Sequence, residues 1–310
     1  MNKPLTITRE NGTQEWIGFQ PSLGARLLRW FAGIFAVVLV AAVPAMAQFN
    51  QGGATRGGSP GGGIDIAVGN LPGYSSLHKF GNNTACSIVE EDIWLAGGQY
   101  QFPISTSVVQ IVSGGNAADT AAGTGARSIQ IEGLGTDWRM ASARLDTAGA
   151  SASLVSTVAF IRVNRAFVVD IGTYSSIIAS AANVGLITVI STATGNTVVA
   201  IGAAKGQSQM GIYTIPAGKT GYLVSTQFNV SATISTTVSL YKRENADDVV
   251  SPFSSKRLLV QNDELRGVDD RELIVPVKLS AKTDIWATCL AVSGTPAATV
   301  EFDIIMKDDN

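Results

Sequence analysis

Charge is scarce in this 310-residue chain, at 15% against about 25% in an average soluble domain. A net charge of −2 provides no basic footprint, so electrostatic binding to nucleic acid is disfavoured. Histidine is reduced to one residue, His78. A Ser-His-Asp or Cys-His site has to use it, and no G-x-S-x-G elbow accompanies it. Cysteine is limited to Cys86 and Cys289, at a separation that matches no metal or redox spacing. They can pair in an exported protein or persist as buried thiols, and both readings stay open. The folded part shows no useful 3.6-residue periodicity, which excludes helical bundles. It also has no repeat of 20–50 residues, which excludes solenoids and propellers.

What is abundant is glycine (33 residues) together with short β-branched runs, the composition of an all-β protein. The first segment, 1–30, is polar and mixed in charge. Residues 31–47, from Phe31 to Ala47 (FAGIFAVVLVAAVPAMA), carry no charge and follow Arg26 and Arg29. Two readings compete for this apolar helix. Pro44 and the Ala45-Met46-Ala47 cleavage pattern fit a secretory signal. A retained membrane anchor is the other, although the run falls short of the roughly 20 residues that span a bilayer. Residues 48–63 (QFNQGGATRGGSPGGG) form a Gly-rich linker.

Beyond the linker, 64–170 reads as a smaller β-rich N-terminal domain and 171–310 as a β-sandwich domain. Strands are expected at 110–112 and 128–132, then at 186–191, 197–201, 210–215, 222–230, 236–241, 273–279, 284–292 and 298–306. The last eight, with turns every 8–12 residues and a long polar connection at 242–272, predict a two-sheet sandwich of jelly-roll type. The clearest signal lies in 206–230. It reads as a hairpin whose turn is Ile215-Pro216-Ala217-Gly218. In its return strand Tyr222, Val224, Thr226, Phe228 and Val230 share one face, and Leu223, Ser225, Gln227 and Asn229 the other. Between 173 and 241 the only charges are Lys205 and Lys219, so Ser225, Gln227 and Asn229 are expected to meet a neighbouring subunit.

Three patterns that invite chemistry read better as structure. Gly218-Lys219-Thr220 resembles the end of a phosphate-binding loop, but the required earlier glycine is Tyr213. Glu90, Glu91 and Asp92 precede Ile93-Trp94, and paired carboxylates beside an indole are the material of a sugar-cleaving site. Adjacent acids on an extended chain point to opposite faces, which favours a solvated run. Asp247-Asp248 and Asp269-Asp270 lack the alternating spacing of a calcium loop. No catalytic, cofactor-binding or metal residue is therefore assigned. Trp94, Tyr100, Trp138 and Trp286 are either core anchors or sugar platforms, with Trp94 and Trp286 the candidate glycan contacts. Arg162 and Arg165 interrupt the apolar run 154–169 and mark an edge, an interface, or pairing with acids of a neighbour.

Several stretches together resemble virion structural proteins of marine bacteriophages and related environmental viruses. They are His78-Lys79-Phe80-Gly81-Asn82, 118–133 (ADTAAGTGARSIQIEG), 160–165 (FIRVNR), 206–223 and 302–308 (FDIIMKD). The likeness covers roughly 74–310 in turn and strand signatures, and it carries over no functional residues. It implies a non-enzymatic capsid, spike or tail component made by self-association, with other virion proteins as partners. A trimer is expected by analogy with viral β-spikes. The chain departs from that pattern at its start, where residues 31–47 offer membrane contact. The alternative is an exported or cell-surface adhesin or carbohydrate-binding module. A secreted hydrolase using His78 comes third.

Overall fold

The structure is a computed structural model describing residues 4–8, 14–19, 62–112, 116–174 and 182–309. The chain forms two compact units, Met1–Gly62 and Gly63–Asn310. In the first, β1 (Pro4–Thr8) pairs antiparallel with β2 (Gln14–Phe19), a ribbon that the polar composition of 1–30 did not announce. The apolar segment 31–47 and linker residues 48–61 lie outside the described residues, and so does the choice between signal and anchor. No helix among the described residues is long and apolar enough to cross a membrane.

The second unit opens with a one-turn helix, α1 (Gly63–Ala67), and is otherwise built of strands. In order these are β3 (Tyr74–Asn83), β4 (Glu91–Asp92), β5 (Val109–Val112), β6 (Ala126–Leu134), β7 (Met140–Asp146), β8 (Arg162–Ile171), β9 (Ile187–Ser191) and β10 (Thr197–Ile201). Then come β11 (Ile212–Thr214), β12 (Lys219–Val230), β13 (Thr236–Arg243), β14 (Arg257–Leu265), β15 (Gly267–Leu279), β16 (Asp284–Ala291) and β17 (Ala298–Asp308). The all-β sandwich expected from composition is what forms.

Its main body is two antiparallel layers. One runs β15-β12-β17-β3; the other runs β14-β13-β16, with β4 and β11 both pairing along the far edge of β16. Phe228, Phe302, Leu223, Ile304, Leu240 and Ile285 meet between them in a dry core. In β17 the alternation reads directly from sequence. Val300, Phe302, Ile304 and Met306 are buried, while Glu301, Asp303 and Lys307 are not. Cys86, after β3, is disulfide-bonded to Cys289 of β16 inside this core, which settles the question that spacing left open. Gly81 is required by close approach: a Cβ there would sit 2.2 Å from the Gly211 nitrogen and 2.4 Å from the Ile93 oxygen.

Between β4 and β11 the chain builds a second core from two three-stranded sheets, β10-β9-β5 and β7-β6-β8. Ile111, Ile129, Ile131, Ile187 and Ile201 fill it. The grouping therefore differs from a division at 170/171. β3 pairs along the whole of β17, and β9 pairs with β5. Such long-range antiparallel pairing has no local signature.

Three further expectations are corrected. Residues 206–230 are a corner and not a hairpin, because β11 joins β16 in one layer while β12 joins β15 and β17 in the other. The turn also lies one residue later than expected. The Lys219 N–H donates to the Pro216 carbonyl (3.3 Å), and Gly218 takes the left-handed position, φ 78°. Second, Leu223 pairs with Ile304 and Ser225 with Asp303, leaving Val224 as an extra residue. That bulge switches the face midway, so Leu223 goes into the core with Thr226, Phe228 and Val230 while Tyr222 and Val224 do not. Third, the polar connection 242–272 contains β14 and the first half of β15. Both are outer strands, and their charges face water as edge strands require.

Candidate functional site

The residues that sequence singled out divide into a buried clamp, two clefts and an outer face. Arg162, expected at a subunit interface, is 2% exposed and belongs to the clamp. Its guanidinium makes a forked contact with Asp284 of β16, Nε to Oδ1 at 3.0 Å and Nη2 to Oδ2 at 3.1 Å. Nη1 donates to the carbonyls of Pro103 (2.5 Å) and Ile161 (2.9 Å). The rings of Trp138 and Phe102 lie 4.9 and 5.4 Å away. Asp284 also accepts from the Thr214 hydroxyl (2.6 Å) and from Arg243 (3.1 Å). The pairing with acids of a neighbouring strand is realised inside one chain, and it ties the inserted sheets to the sandwich. Arg165 is half-exposed and pairs with Glu132 at 3.1 Å.

The most chemically varied cleft holds about 170 Å³. Glu90 and Asp92 both line it, because on the extended chain entering β4 residues two apart share a face. Glu91 points elsewhere and accepts from the Asn83 amide (3.1 Å). Sequence reasoning tested only adjacent acids and so missed this pair; the i, i+2 spacing was the available signal. The Glu90 carboxylate accepts from the Thr288 hydroxyl (3.0 Å) and lies 3.6 Å from the Lys256 ammonium. Asp92 is buried and accepts the Tyr100 N–H at 2.5 Å. Burial pushes its carboxyl up to about 7, against the pull of that N–H. Trp286 lines the same cleft, stacked on Tyr241 at 5.8 Å between ring centres. Trp94 does not reach it. Its ring packs edge-on against Tyr100 and its indole N–H donates to Gly98 O (3.1 Å), so Trp94 is a core anchor and not a platform.

A second cleft of about 110 Å³ lies between β3 and the inserted sheets, lined by Leu77, Lys79, Glu132, Arg165 and Tyr213 among others. Lys79 is buried there and donates to the Asn164 carbonyl. Burial, with Arg165 nearby, lowers its ammonium to about 7. His78 lines the same cleft and lies 2.7 Å from Asp303 Oδ1, whose Oδ2 accepts the Ser225 hydroxyl at 2.6 Å. Here the carboxylate separates serine from histidine. The imidazole is not placed to take the Ser225 proton, as a nucleophile's base has to be. Ser225, Gln227 and Asn229 do share the outward face of β12, as the alternation predicts.

The familiar motifs hold backbone in place. The Asp119 carboxylate accepts from the N–H groups of Ala126, Val184 and Gly185 at 2.7–2.9 Å. Asn164 exchanges hydrogen bonds with the Thr214 backbone. Among the described residues no group of three or more His, Cys, Asp or Glu could hold a metal ion.

The second unit is thus an all-β, two-sheet sandwich that carries an inserted β-domain. No protein-family model matches the chain, and no curated protein sequence does. Among solved structures, T=1 particles derived from infectious bursal virus align at a TM-score of 0.21 and 9% identity, over 77% of this chain and 70% of that one. The VP2 subviral particle of infectious bursal disease virus aligns at 0.17 and 6%, over 77% of each chain. An isomalto-dextranase of Arthrobacter globiformis T6 aligns at 0.19 and 11%, over 76% of this chain and 35% of that one. Likenesses at this level carry no argument about what the chain does.

Proposed function

We propose that this protein is a non-enzymatic structural subunit of a virion that self-associates through its sandwich. The strand order carries the reading. The layer β3-β17-β12-β15 lies against the layer β4/β11-β16-β13-β14, which we read as an eight-stranded jelly roll of two Greek keys. Viral capsid domains and lectins use that architecture, and the sequence motifs resemble virion proteins rather than enzymes.

The rim of the sandwich supports association with a second copy. β15 is an outer strand, and opposite the bulge at Val224 its residues 273–276 arch out of the ladder. Ile274 and Val275 stand on that arch, 93% and 79% exposed, with Val268 also outward on the same strand. An apolar edge of this kind is a liability in a free monomer and a contact in an assembly. Homotypic rings close when one patch meets a complementary one, with a trimer the expected count by analogy. The buried disulfide suits a protein that persists outside the reducing cytosol.

Electron microscopy of the purified full chain tests the reading. Regular closed particles or rings are expected, and they should disperse in an Ile274→Glu, Val275→Glu double variant. A field of single subunits from the unaltered chain overturns it.

A further inference from the structure

We infer that the cleft beside β4 and β16 is a binding site for one neutral saccharide unit, a role separate from assembly. The chemistry of the lining selects that class. Glu90 and Asp92 offer carboxyl oxygens, which repel anions. The Lys256 ammonium, 3.6 Å from Glu90, opposes a cation. What remains suited to so mixed a set is a ligand whose hydroxyls both donate and accept. Gln99 adds an amide that can do both.

A further observation marks the place as built to receive something. Trp286 adds an aromatic surface to the same cleft, braced by Tyr241 behind it and by Phe102 at 5.5 Å. A braced indole next to converging polar groups suits a sugar ring, which has an apolar C–H face and a polar rim. The cleft volume of about 170 Å³ suits one ring or a chain end.

The inference is tested by saturation-transfer NMR on the full chain with methyl glycosides of glucose, galactose, mannose and N-acetylglucosamine as probes. At least one glycoside should receive saturation, with a dissociation constant in the millimolar range or tighter. Glu90→Gln should weaken binding about tenfold, and Trp286→Phe, which keeps an aromatic filler in the core contact, should weaken it further. Unchanged melting of both variants identifies those losses as local. Absence of transfer from all four probes overturns the proposal, as does binding that survives in the Glu90→Gln, Trp286→Phe double variant. Neither result depends on whether the chain assembles.

Discussion

Replacing Arg162 by alanine should cost about 4 kcal/mol of stability, as much as a large core deletion, although only a charged residue is removed. The guanidinium is 2% exposed and its partner Asp284 fully buried, so water cannot take over the broken contacts. Asp284 would keep the Thr214 hydroxyl and the partly exposed Arg243 but lose its forked partner. Breaking one side of a buried pair typically costs about 3–5 kcal/mol. The carbonyls of Pro103 and Ile161 would lose their donor as well, and the Trp138 and Phe102 faces their cation. In thermal unfolding this corresponds to a drop of roughly 8–16 °C, at about 2–4 °C per kcal/mol for a unit of this size. Arg165→Ala is the control. Its ion pair with Glu132 is half-exposed and should contribute less than about 1 kcal/mol. A double-mutant cycle of Arg162→Ala with Asp284→Ala should return a coupling of about 2 kcal/mol or more. If Arg162→Ala melts within 2 °C of the unaltered chain, the clamp does not tie the inserted sheets to the sandwich and the reasoning fails.

Two further predictions concern the remaining buried groups. The Cys86–Cys289 bond closes a separation of 203 residues, for which the chain-entropy relation gives roughly 5 kcal/mol; Cys86→Ser with Cys289→Ser should lower the urea midpoint accordingly, and an unchanged midpoint refutes the pairing. Asp92 and Lys79 should together place a minimum in stability near pH 7. The Asp92 carboxyl is pushed up from 3.8 to about 7, so between those values the unfolded chain loses its proton first and stability falls as pH rises. The Lys79 ammonium is lowered from 10.5 to about 7, so between those values the unfolded chain binds more protons and stability rises with pH. Asp92→Asn should flatten the acid limb and Lys79→Met the alkaline limb in urea titrations taken across pH 4–10. Limbs that persist in both variants would assign the pH dependence to other groups.

Periodicity carried much of the fold. The faces of β17 and the outward row Ser225, Gln227 and Asn229 on β12 follow from alternation alone. Alternation fails where the chain inserts a residue, and Val224 moved Leu223 into the core without altering composition. It also fails at the rim. β14 and the start of β15 are strands whose charges face water, and so they read as a loop. The clamp and the cleft were illegible for a different reason. Arg162 meets Asp284 across 122 positions, and Glu90 meets Thr288 across 198, and no local pattern encodes such meetings. The pair Glu90 and Asp92 was readable from the i, i+2 spacing along the extended chain entering β4.

Self-association is the central claim, and sedimentation velocity of the full chain across a hundredfold range of concentration tests it most directly. The account predicts a species heavier than the monomer whose share grows with concentration, and its loss in the Ile274→Glu, Val275→Glu variant. A single monomeric boundary at every concentration, the same in both proteins, would contradict it.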